Sequence, residues 1–124
     1  KRENHTVKDR EEIWLSIMNR YDAGVDYSGY EHILANLWQK QLHLFECPFY
    51  YIEYGIAELG ALQVWNNFRE NPKKAFDMLF EAESLGSSRP LPELFNKAGI
   101  KFDFSPKTVE PLVQVIWDEY EKTN

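Results

Sequence analysis

One histidine and three tyrosines fall within the twelve positions from His43 to Tyr54, in the run HLFECPFYYIEYGIAELGALQVW. A phenol is protonated at neutral pH and donates one hydrogen bond, and an imidazole can donate another. Pro48 suits the first turn of a helix, where its missing N–H costs nothing. A helix starting there puts Tyr51 and Tyr54 on one face, with Tyr50 on the adjoining flank. Two donors on a helical face, joined by His43 from the preceding turn, can hold a carbonyl oxygen as it becomes an oxyanion. The competing reading is that aromatic residues at helical spacing are core, each phenol finding a backbone partner.

Other constellations carry less. His43 and Cys47 are four apart, the spacing of a Cys/His nucleophilic pair, but Pro48 interrupts the helix and no third orienting group is evident. Cys47 reads instead as a buried small hydrophobe. His43 with Glu46 offers two metal ligands where a catalytic zinc needs three from the protein. His32, after Glu31 near a helix start, reads as solvated or capping. Asp22 and Asp26 lack the alternating oxygens and central glycine of a calcium loop. Arg89 has the planar fork for a substrate carboxylate, against the simpler role of tying its connector to backbone carbonyls.

The elements that must position these groups read as helices throughout. Thr6 and Asp9 have capping-box spacing, and Ile13, Ile17 and Tyr21 stripe a first helix that stops near Gly24. The segment 22–29 is a loop of turn formers. A second helix carries Ile33, Leu34, Leu37, Gln41 and Phe45, and the Pro48 helix runs to about Phe68. Asn71 and Pro72 cap and open another, ended at Leu85-Gly86. SSRPLP connects it to a short helix over Glu93 to Ala98, closed by Gly99. Ser105-Pro106 starts the last helix, with Leu112, Val113, Ile116, Trp117 and Tyr120 at helical spacing and Pro111 as a first-turn irregularity. No strand pattern, internal repeat or low-complexity tract intervenes, so the expected fold is all-α, one helical unit over residues 1–124.

Composition excludes several classes. Fourteen basic residues against twenty acidic ones give a net charge of −6 with no basic cluster, which argues against nucleic acid and anionic membranes as partners. The longest apolar run, Ile52 to Trp65, is interrupted by Glu53, Glu58 and Gln63 and is too short to cross a bilayer. A single cysteine rules out an internal disulfide and fits a reducing compartment, with cytoplasm the default expectation.

The run WQKQLHLFECPFYYIEYGIAELGALQVW (Trp38 to Trp65) closely resembles the C-terminal region of the oligoendopeptidase F family, zinc metallopeptidases related to thimet oligopeptidase. The similarity extends through SLGSSRPLPELFNKAGIKFDF and back over WLSIMNRYDAGVDYSGYE, covering nearly the whole chain. The resemblance implies the C-terminal part of a zincin-like catalytic domain that hydrolyses short peptides. It also implies that His43 and Tyr54 stabilise the tetrahedral intermediate while Tyr51, or Tyr50, holds the substrate backbone. The family's H-E-x-x-H zinc motif is missing: the histidines are His5, His32 and His43, none four from another. The chain therefore reads as a fragment cut after the metal site. Zinc belongs to the parent, no metal residue is expected here, and the fragment alone should be inactive. Its aromatic face, shaped to meet an absent lobe, should favour self-association. The alternative is a non-catalytic helical module that binds a protein or peptide.

Overall fold

The computed structural model describes residues 4–21 and 24–123, so Asp22 and Ala23 of the first loop lie outside the described residues. Every regular element among the described residues is helical: α1 (Val7–Met18), α2 (Glu31–Asn36), α3 (His43–Glu46), α4 (Ile52–Glu70), α5 (Pro72–Ser84), α6 (Leu91–Lys97) and α7 (Pro106–Thr123), with 3-10 turns over Asn19–Tyr21 and Leu37–Lys40. The chain divides into two compact units at the Tyr51–Ile52 bond.

In the first unit α1 opens with the expected capping box. The Thr6 hydroxyl accepts from the Asp9 N–H at 3.2 Å, and the Asp9 carboxylate accepts from the Thr6 N–H at 2.7 Å. The second predicted helix is not continuous. It closes at Asn36, tightens into the 3-10 turn, and breaks at Gln41, whose ψ of 90° is extended. Only the single turn of α3 follows. Two tryptophans hold these pieces together. Trp14 Nε1 on α1 donates to the Leu34 carbonyl of α2 at 2.8 Å, and the Arg10 guanidinium lies 5.9 Å from the Trp38 ring centroid. Ala35 is the one buried residue among those described in this unit.

The second unit is built on α4, α5, α6 and α7. Asn71 caps α5 by accepting from the Lys74 N–H, with Pro72 at the first helical position. Small residues on facing helices let them approach closely: a Cβ at Gly60 of α4 would sit 3.2 Å from the Phe95 ring of α6. Gly99, after α6, has φ +72°, a backbone conformation that favours glycine, and a Cβ there would displace the flexible end of Met78, whose Cε it would meet at 2.6 Å. α4 also grips the chain after α6 with two amides. Gln63, nearly buried, donates to the Lys101 carbonyl at 3.0 Å and accepts from its N–H at 2.9 Å, while Asn67 donates to the Gly99 carbonyl at 2.9 Å. Arg69 pairs with Glu119 of α7, which also takes Lys122 at 2.6 Å. α7 continues through Pro111, at its sixth position, with Leu112 buried behind it. The irregularity expected in the first turn falls in the second, where proline has no N–H to give the Lys107 carbonyl.

Candidate functional site

The geometry of the candidate site turns on the segment from Cys47 to Tyr51. The helix expected from Pro48 begins instead at Ile52. Pro48 is the second residue of a reverse turn in which the Tyr50 N–H donates to the Cys47 carbonyl at 3.0 Å. Phe49, third in that turn, has φ +68°. Proline followed by a positive φ is the pattern of a type II turn, and a residue with positive φ cannot occupy the second position of a right-handed helix. Tyr51 thus stands just ahead of α4, and the shared helical face of Tyr51 and Tyr54 is corrected accordingly.

The turn gathers two of the three tyrosines on the histidine. The His43 ring stacks on Tyr50 at 5.8 Å between centroids with planes 7° apart, and meets Tyr51 at 5.6 Å with planes tilted 48°. Both separations lie in the range where aromatic pairs attract, each worth roughly 0.5–1.5 kcal/mol. Contacts of that size select a ring orientation, but the backbone places the imidazole. His43 is the first residue of α3, whose turn is closed by the Phe45 and Glu46 N–H groups donating to the Leu42 carbonyl. Phe45 packs on Trp38 with ring centroids 5.7 Å apart, and Trp38 takes the Arg10 cation. A line of contacts therefore runs from α1 to the imidazole.

His43 is half-buried, while Tyr50 and Tyr51 are 49% and 45% exposed, so the cluster lies at the surface of its unit. Tyr54 lies on the first turn of α4, in the second unit, 55% exposed. Of the four predicted residues, His43, Tyr50 and Tyr51 are those the first unit brings together. Tyr50, ranked behind Tyr51 in the sequence, is as close to the imidazole. The positive φ of Phe49 is not announced by its residue type; proline at the second turn position is the signal for the turn itself.

The remaining candidates sort quickly. Cys47 is exposed and not a buried hydrophobe, because the turn lifts it from any helical interior. His32 is exposed on α2. Asp26 accepts from the hydroxyl of Ser28 and then from its N–H, which hold its carboxyl below the usual range; it closes a local turn. Arg89 donates to the Ser88 carbonyl and stands 3.8 Å from Glu93, in keeping with a connector role. Among the described residues no three His, Cys, Asp or Glu side chains gather to hold a metal, so these residues do not fit a catalytic zinc with three protein ligands. No described helix is long and apolar enough to cross a membrane.

The second unit carries a groove of about 640 Å³ among α4, α5 and α6. Ala57, Gly60 and Ala61 form its floor, with Trp65, Phe68 and Phe95 among its walls; Glu83 is the one ionisable group lining it. None of the four predicted residues lines it, and a wall of hydrocarbon has little to offer an oxyanion. No protein-family model, curated protein or solved structure matches the chain.

Proposed function

We propose that the chain is the substrate-holding and oxyanion-stabilising part of a zinc-dependent oligoendopeptidase that hydrolyses short peptides, the C-terminal helical portion of a zincin-like catalytic domain. The observation that carries this reading is the cluster of His43, Tyr50 and Tyr51 in the first unit. The resemblance of Trp38 to Trp65 to oligoendopeptidase F supplies the chemistry to which such a cluster is suited. Tyr54 and His43 donate hydrogen bonds to the carbonyl oxygen as it gains charge. Tyr51, or Tyr50, holds the main chain of an extended peptide. In this reading the zinc ion and the general base come from a part of the parent outside these residues, whose sequence carries no H-E-x-x-H motif.

The test is Tyr54→Phe in the parent enzyme, which removes one hydroxyl and leaves the ring. Turnover should fall on the order of 10² to 10³-fold, about 3–4 kcal/mol, with substrate binding little changed, because the charge develops only in the transition state. Tyr51→Phe should act mainly by raising KM. Near-normal turnover in Tyr54→Phe, with zinc content unchanged, sinks the oxyanion role.

A second reading, a helical module without chemistry, is favoured by the apolar groove of the second unit. The upstream coding sequence separates the two: an H-E-x-x-H motif in the same reading frame decides for the enzyme. Self-association of the chain belongs to the first reading. Ile52, at 65% exposed, and Tyr54, at 55%, leave apolar surface on the first turn of α4. Sedimentation at rising concentration checks it, and a monomer throughout counts against it.

A further inference from the structure

Phe49 is disfavoured twice in its own chain. Its φ of +68° lies where glycine or asparagine is usual at the third position of a type II turn, and a bulky side chain there is a genuine outlier. Its ring is also 91% exposed, the most exposed large hydrophobic side chain among the described residues. The neighbouring Tyr50 and Tyr51 recover contact by lying on His43, whereas Phe49 gains almost none. A glycine would fold this turn better, so stability does not account for the phenylalanine. Strain and apolar exposure together, beside the His43 cluster, point to a contact that the described residues do not supply.

We propose that Phe49 determines specificity in the site proposed above, an inference that rests on that reading. Its ring is the apolar plate against which an aromatic or large aliphatic side chain of the bound peptide packs. Tyr50 or Tyr51, one or two positions along the same turn, holds the main chain. Residues so close in sequence address adjacent parts of an extended peptide, so the preferred side chain lies within a residue or two of the backbone group that the phenol binds. The ligand class is an unfolded peptide carrying a large apolar residue there, and Phe49 acts in binding, with no part in bond cleavage.

The test uses the chain as it stands and a set of blocked fluorescent pentapeptides identical except for Phe, Leu or Ala at the central position. Affinity is read by anisotropy for the wild type, Phe49→Gly, Phe49→Leu and Tyr51→Phe. Phe49→Gly should keep or raise the melting temperature, since glycine relieves the turn. It should weaken binding of the Phe peptide about tenfold and leave the Ala peptide unchanged, the scale of one lost aromatic contact. Phe49→Leu should retain the preference for Leu over Ala. If Phe49→Gly binds the Phe peptide as the wild type does while Tyr51→Phe weakens every peptide, the specificity role is overturned and the peptide-holding role survives. An equal loss on Phe and Ala peptides also overturns it, because the turn's shape would then matter and the ring would not. If the wild-type chain binds no member of the set, both ideas fall together.

Discussion

The two units place their helices by different means. In the second, the 19-residue α4 meets α6 closely at Gly60, holds the segment after α6 through the Gln63 amide, and pairs with α7 through Arg69 and Glu119. In the first, among the described residues, α1 is followed by elements of three to six residues, one alanine is buried, and Trp14 and Trp38 make contacts back to α1 and α2. The candidate cluster sits at the end of the unit with less core. Sites that must admit a ligand are commonly drawn from segments of low local stability beside a firmer scaffold. The boundary at Tyr51–Ile52 puts the proposed peptide-holding phenols on one side and the proposed oxyanion donor Tyr54 on the other. The other proposed oxyanion donor, His43, stays with the phenols in the first unit.

The sharpest way to break that contrast is native-state hydrogen exchange. Amides of α4, α5 and α7 should exchange on the order of a hundredfold or more slower than those of α2 and α3, reflecting a difference of roughly 3 kcal/mol in opening free energy. Uniform protection across residue 51 would remove the distinction.

Core truncation comes next. Leu112→Ala should cost about 3 kcal/mol in denaturant unfolding of the second unit, because a buried leucine loses its transfer energy and leaves a void. Gln63→Leu should cost about 1–2 kcal/mol, since it leaves the Lys101 N–H and carbonyl without their amide partner in a partly solvated segment. Exchange at α1 and α2 should be unmoved by either. If Gln63→Leu proves as stable as the parent chain, the amide grip is incidental and packing alone positions the segment after α6.

Legibility followed the same divide. Where one local signal dominates, the residues sufficed: Thr6 with Asp9, Asn71 with Pro72, and Ser105 before Pro106 mark helix starts found at those places. Gly86, following the last residues of α5, carries the positive φ expected of a helix end. The fold class, all-α, follows from that set. Where a residue suits two local structures, the sequence was ambiguous. Pro48 serves a helix start and the second position of a turn equally well, and the outcome depends on Phe49 taking a φ that its side chain disfavours. The break at Gln41 has no proline or glycine to announce it, because the stripe Ile33, Leu37, Gln41, Phe45 is sound helical periodicity. Trp38 pairing with both Phe45 and Arg10 is a tertiary arrangement that a stripe does not encode. For the site, the residue types and their neighbourhood were legible, and the parity of Tyr50 with Tyr51 was not.

The smallest expected effect compares the units through acid. Each contains a carboxylate that closes a helix start. Asp9 is held below the usual carboxylate range by the Thr6 N–H and then its hydroxyl. Asp103 is held low first by the Thr108 hydroxyl and then by Ser105, whose N–H donates to it at 3.0 Å. A carboxyl whose folded pKa is depressed stabilises the fold above its unfolded value, near 3.8 for both, and loses that contribution as pH falls through the folded value. Neither group should therefore alter stability between pH 7 and pH 5, and both should weaken below about pH 4. What separates the units is the form of the loss. Protonating Asp9 should fray the start of α1 locally, visible as faster exchange at the Asp9 and Arg10 amides, because little core transmits the change. Protonating Asp103 should lower the melting temperature of the second unit as a whole, because α7 is tied to α4 through Arg69 and Glu119. Asp9→Asn and Asp103→Asn should reproduce these two outcomes at neutral pH. If Asp103→Asn only frays the first turn of α7 and leaves the melting temperature of the second unit in place, α7 is no more cooperative with its neighbours than α1, and the contrast in rigidity fails at the helix where it should be strongest.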